Sequence, residues 1–153
     1  MLVYMWASQE KTFGPTVPKV MVNGDVIFTI TGGPIAIVDL IAVCVTANGA
    51  VASTMQWQSV PTVGTATTFS AASGSLLSAT AGTTVRIVQT ALNSVPLIVA
   101  ASAGGVQLGT NVANRIMIKE GTVNLVIGVG STTGLWYHAI RYQPLTTDSI
   151  ING

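Results

Sequence analysis

The sequence predicts an all-β fold, an antiparallel sandwich of about eight strands, jelly-roll-like, and three observations carry that expectation. Turn residues recur at short intervals, among them Asn23-Gly24-Asp25, Gly32-Gly33-Pro34, Asn48-Gly49, Gly82-Thr83, Glu120-Gly121-Thr122 and the run from Gly130 to Gly134. Between them apolar and polar residues alternate with period two, as half-buried strands require. No segment sustains the three-to-four-residue apolar period of an amphipathic helix.

Each strand follows from its own pattern. Val26–Thr31 sets Val26, Phe28 and Ile30 on one face. Ile35–Thr46 is apolar at nearly every position, the signature of a central strand covered on both faces. Ser53–Ser59 buries Met55 and Trp57 and turns Thr54, Gln56 and Gln58 outward. Thr65–Ser70 is short and Thr-rich, Thr83–Gln89 alternates around Val85 and Ile87, and Leu97–Ala101 is the weakest pattern. Ala71–Ala81, rich in Ala, Ser and Gly, reads as a loop. Arg115–Lys119 and Thr122–Val129 read as a hairpin turning at Lys119-Glu120-Gly121. Leu135–Tyr142 then places Trp136, His138, Ile140 and Tyr142 on one face. Residues 1–19 lack sustained alternation and carry Pro15 and Pro18, so they read as an extended arm ahead of a single domain spanning 20–153.

Composition narrows the function. A chain of 153 residues closes one core without disulfides or metal. Charged residues make up 7% of it, against about 25% in an average soluble protein. Twenty Thr, 11 Ser and 16 Gly take their place. Val and Ile are too abundant for disorder. The longest apolar run, Pro34 to Ala47, is 14 residues with Asp39 inside it, short of the ~20 that a spanning helix needs. Residues 1–9 lack a basic region and an apolar run of signal length, so no membrane and no secretory route is expected. Six scattered cations with a net charge of +1 provide no phosphate-binding face, which argues against nucleic acid. Low net charge favours association, so the chain reads as a component of an assembly.

Chemistry finds little footing. One His, one Cys and five carboxylates (Glu10, Asp25, Asp39, Glu120 and Asp148) form no catalytic constellation. His138 alone could serve a Ser-His-Asp set, and no Gly-x-Ser-x-Gly elbow accompanies it. His138 and Cys44 are too few for zinc. Asp25 has no acidic neighbour for calcium and suits a turn-capping role. Gly128, Gly130 and Gly134 have the wrong spacing for a dinucleotide loop, and a strand follows them. Cys44 reads as a buried small hydrophobe, and Asp39, if buried, needs Arg86 or Arg141. No catalytic residue, metal or cofactor is expected.

Three stretches carry a resemblance: Gly24–Pro34 (GDVIFTITGGP), Val45–Trp57 (VTANGAVASTMQW) and Gly128–Leu145 (GVGSTTGLWYHAIRYQPL). Over about Gly24 to Leu145 the chain resembles small virion structural proteins of tailed bacteriophages, head decoration (cement) proteins among them. The resemblance implies a β-sandwich homo-oligomer, a trimer, made in the host cytoplasm and bound to the phage major capsid protein on the outside of the head. It assigns no functional residue.

Candidate assembly contacts come from the aromatics: Tyr4, Met5, Trp6 and Phe13 in the arm, expected to reach another subunit or the shell, and Trp136 and His138 in the densest aromatic cluster. The same pattern on Trp136 to Tyr142 fits a core face with His138 as a satisfied polar residue. Alternatives are a head-fibre or tail component, or a carbohydrate-binding module using Trp57 or Trp136 as a sugar platform. An enzyme ranks behind these, since paired carboxylates are missing.

Overall fold

The computed structural model describes residues 10–102 and 115–153. Among them there is no helix, and eleven strands form two antiparallel sheets packed into a β-sandwich. In chain order the strands are β1 (Lys11–Phe13), β2 (Val26–Thr31), β3 (Ile35–Cys44), β4 (Thr54–Pro61), β5 (Thr67–Thr68) and β6 (Thr84–Arg86), then β7 (Leu97–Val99), β8 (Met117–Ile118), β9 (Gly121–Gly128), β10 (Trp136–Pro144) and β11 (Ile150–Asn152). Sheet I runs β1-β10-β3-β6-β7, with β8 on the start of β3. Sheet II runs β11-β2-β9-β4-β5. The arch β2–β3 pairs with the arch β11–β10, β3 on β10 in sheet I and β2 on β11 in sheet II.

Alternation decides what faces the interior. From sheet I come Ile37, Leu40, Ala42, Val85, Trp136, His138 and Ile140, and from sheet II Phe28, Ile30, Met55, Trp57, Val123 and Leu125, all at most 2% exposed. Burying Trp57 and Trp136 removes roughly 200 Å² of apolar surface each, about 5 kcal/mol apiece before ordering costs. Ala71–Ala81 is irregular as expected, although Ser73 and Leu76 are buried in it.

Two bulges change the expected faces. In β2, Val26 opposes Asn124 and Phe28 opposes Val123, which leaves Ile27 as the extra residue. Ile27 is therefore buried and Val26 is half exposed, contrary to the regular alternation read from the sequence. In β3, Asp39 opposes Arg141 while Ile37 opposes Tyr142, and Val38 is the extra residue. Inward positions thus pass from Ile35 and Ile37 to Leu40, Ala42 and Cys44. The strand is central, but only one of its faces meets the other sheet.

The expected hairpin of 115–129 is a correction. β8 pairs with β3 in sheet I, and β9 pairs with β2 and β4 in sheet II, so Lys119-Glu120 crosses between the sheets. Two inward-facing alternating arms look the same whether they pair with each other or face each other across a core. Gly121 makes the crossing tight: at φ +143° its missing Cβ would sit 2.2 Å from the Val60 carbonyl.

The arm boundary also moves. β1 pairs with β10, Thr16 N–H donates to the His138 carbonyl at 2.9 Å, and Lys19 and Trp136 exchange both backbone bonds. Residues 11–19 are thus the outer strand of sheet I, interrupted at Pro15 and Pro18, where an edge tolerates a missing N–H. Phe13 points inward and meets Phe28 edge-on at 5.8 Å. β11 was not foreseen; it holds Ile151 in the core against β2.

Candidate functional site

Trp136 and His138 are not surface contacts. Both are fully buried, because the inward face of β10 carries 136, 138, 140 and 142. Trp136 is held by Asn48, whose Oδ1 accepts from Trp136 Nε1 (3.0 Å) and Gly134 N (2.9 Å) while its Nδ2 donates to the Leu76 carbonyl (3.0 Å). Sequence reasoning read Asn48 only as a turn residue. The close approach it organises needs Gly134, whose added Cβ would lie 2.0 Å from the Thr46 carbonyl.

His138 has no hydrogen-bond partner on either ring nitrogen, contrary to the satisfied polar role. It stands perpendicular to Trp57 (6.3 Å) and Phe28 (6.5 Å), in edge-to-face contact with both rings. Burial, aided by the Lys19 charge and opposed by Asp25, lowers its pKa to about 3, so the ring is neutral at ordinary pH. Trp57 Nε1 is also buried without a partner. With both Trp57 and Trp136 at zero exposure, neither can serve as a sugar platform. Tyr4, Met5 and Trp6 lie outside the described residues, and Phe13 is spent on its own core.

The remaining polar residues fall where their chemistry suggests. Asp25 accepts from Val22 N–H at 2.9 Å across its turn and pairs with Lys19 at 3.2 Å. Asp39 is three-quarters buried and pairs with Arg86 at 2.8 Å, the first of the two partners expected. Glu10 bridges Arg115 (3.0 Å) and Arg141 (3.6 Å). The Cys44 thiol is buried, which raises its pKa, and it donates to the Thr46 carbonyl. No group of three or more potential metal ligands occurs among the described residues.

What the strands do build is a pair of contrasting outer faces. Sheet II contains no charged residue in any of its five strands. Its outward positions are mainly Thr, Gln and Asn, with Gln58 opposite Asn124 and Thr29 opposite Thr122. Sheet I carries every strand charge, Lys11, Asp39, Arg86 and Arg141, yet its remaining outward positions are mainly apolar, with Thr12, Thr84 and Gln143 the exceptions. Its register stacks two four-residue rows, Tyr137–Val43–Thr84–Val99 and Ala139–Ile41–Arg86–Leu97. Leu135 and Val45, joined by a backbone bond of 2.8 Å and 37% and 43% exposed, extend the face at one end. Arg141 and Asp39 close the other. Among the described residues all eleven strands belong to the two sheets, so none of those strands covers this face. A separate groove of about 240 Å³ opens between the β4–β5 end and β8, walled by Phe69, Ile116, Ile118, Pro61, Leu92 and Met117.

No family model matches the chain, and no curated protein or solved structure matches it either.

Proposed function

We propose that the chain is a non-enzymatic structural protein of a bacteriophage virion, a decoration protein that binds the outside of the head as a homo-oligomer and braces the major capsid protein. The observation that carries this reading is the charge-poor sandwich with an apolar outer sheet face, a form that suits a subunit held in a larger body. The resemblance of Gly24–Leu145 to small virion proteins supplies the particular assembly. Three subunits is the order that resemblance implies. Linking weak contacts of about 4 kcal/mol each on one rigid oligomer is enough for tight attachment.

The test is a binding experiment on heads of the encoding phage that lack this protein. Saturable, high-copy binding over the shell, with raised resistance of the heads to thermal rupture, is the expected result. Label confined to one vertex or to the tail would replace this reading with the head-fibre or tail alternative. Reproducible turnover by the purified protein in a broad hydrolase panel would remove the non-enzymatic part.

A further inference from the structure

We infer that the outer face of sheet I is where a second copy of this chain docks. The inference rests on the preceding reading only in that subunits self-associate; it names the surface they use, and pairing of like faces closes a dimer in place of the threefold order given above.

An antiparallel sheet with one face in water normally turns polar side chains outward. Sheet II does so, and sheet I does not. Tyr137, Val43, Ile41 and Ala139 form a two-by-two block at the centre of its outer face, bounded by Leu135 and Val45 at one end. Thr84 and Arg86 flank the block on the β6 side, and Asp39 and Arg141 close the opposite end. An aromatic and aliphatic centre with an arginine-containing border is the composition of a protein–protein interface.

Charge selects the occupant. A second copy brings the same charges to the contact, so a face of uncompensated sign would repel itself. Here Arg86 is paired with Asp39 at 2.8 Å, and Arg141 lies 3.6 Å from Glu10, both within the subunit. Arg115 shares that Glu10 at 3.0 Å, so the border keeps an excess of only about one positive charge and two copies repel weakly. Size agrees as well. With about four outward positions on each of β10 and β3, two on each of β6 and β7 and one on each of β1 and β8, a spacing of ~4.8 by ~6.8 Å gives a footprint of about 450 Å². That is more than half of the ~800 Å² of accessible surface that each partner contributes to a standard interface, the size of a micromolar contact. The docked copy also gives β3 its second cover, which accounts for a strand apolar at almost every position.

The test combines sedimentation velocity across the micromolar range with circular dichroism and thermal unfolding as checks of fold. Wild type sediments as a dimer or larger. Val43→Lys, at the centre of the face, raises the dissociation constant by about 100-fold, as loss of a buried interface anchor does. Val45→Glu sits at the exposed end, where the fold tolerates a charge, and raises it by about tenfold. Gln56→Lys, on the outer face of sheet II, leaves it unchanged. A wild-type protein that stays monomeric throughout overturns the inference, even if that monomer binds heads. So does an oligomer indifferent to both Val43→Lys and Val45→Glu, or one whose variants stay assembled but lose attachment to heads. If the face variants dissociate and the wild type binds no heads, the interface stands and the virion reading falls.

Discussion

His138 should make this protein acid-sensitive, because its ring is buried without a hydrogen-bond partner. Its imidazole is fully buried against Phe28 and Trp57, and its pKa falls to about 3 because burial disfavours the charged ring. In the unfolded chain the same group titrates near 6.5. Below that value the unfolded state takes up a proton that the folded state refuses, so stability falls as pH drops from about 6.5 towards 3. At ~1.4 kcal/mol per pH unit, moving from pH 7 to pH 4 costs about 3 kcal/mol, a large share of the 5–15 kcal/mol that holds a typical domain folded. His138→Leu removes the titration while keeping an apolar side chain of similar bulk. Urea unfolding of both proteins at several pH values between 4 and 7 isolates the effect, since all other groups are common to the pair. The difference in stability between variant and wild type should shift in the variant's favour by about 3 kcal/mol on going from pH 7 to 4. Parallel pH profiles would refute the reasoning and show that His138 is solvated or finds a proton acceptor.

Two further substitutions probe how the core is held. Asn48→Ala strands Trp136 Nε1, Gly134 N–H and the Leu76 carbonyl together, and should cost about 2–4 kcal/mol in chemical denaturation; a loss under about 0.5 kcal/mol would mean that water replaces the side chain. Phe13→Ala should lower stability by about 1–3 kcal/mol because the ring packs on Phe28, whereas an unchanged melting temperature would return residues 11–13 to the status of a detachable arm.

Local pattern made most of the fold legible, and pairing partners were the part it hid. Val26–Thr31, Ser53–Ser59 and Leu135–Tyr142 were readable because turn residues bracket clear alternation. The Asp25 cap and the Asp39–Arg86 pair were readable because a short acid in a turn and a lone acid in an apolar strand have few uses. The hairpin expected at Lys119-Glu120-Gly121 failed because alternation fixes which side chains share a face, and says nothing about which strand lies alongside. β1 was hidden because an edge strand needs only one paired side, and Lys11-Thr12-Phe13 is too short to show a period. The bulges at Ile27 and Val38 were illegible for a related reason: each inserts one residue without any special side chain, yet reverses every face beyond it.

Trp136 and His138 were open to a contact reading and a core reading, and the sequence held a signal that decides for the core. β10 alternates between a set with Trp136, His138, Ile140 and Tyr142 and a set with Tyr137, Ala139 and Arg141. Both sets look apolar, so hydrophobicity alone does not say which is the core. Charge does: an ionised guanidinium cannot be buried unpaired without a penalty of several kcal/mol, whereas a neutral imidazole can be. Arg141 therefore marks its own set as the outer one, and Asp39, opposite it in β3, marks Ile41 and Val43 by the same rule. Weighing one charge above four aromatic or aliphatic neighbours moves the candidate contact from Trp136 and His138 to Tyr137, Val43 and Ile41. It also explains why a chain with so few charges keeps four of them in the strands of a single sheet. Two apolar faces on one sheet are otherwise interchangeable, and the charges at one end of sheet I are what commit the Trp136 face to the core and leave the Tyr137 face outside.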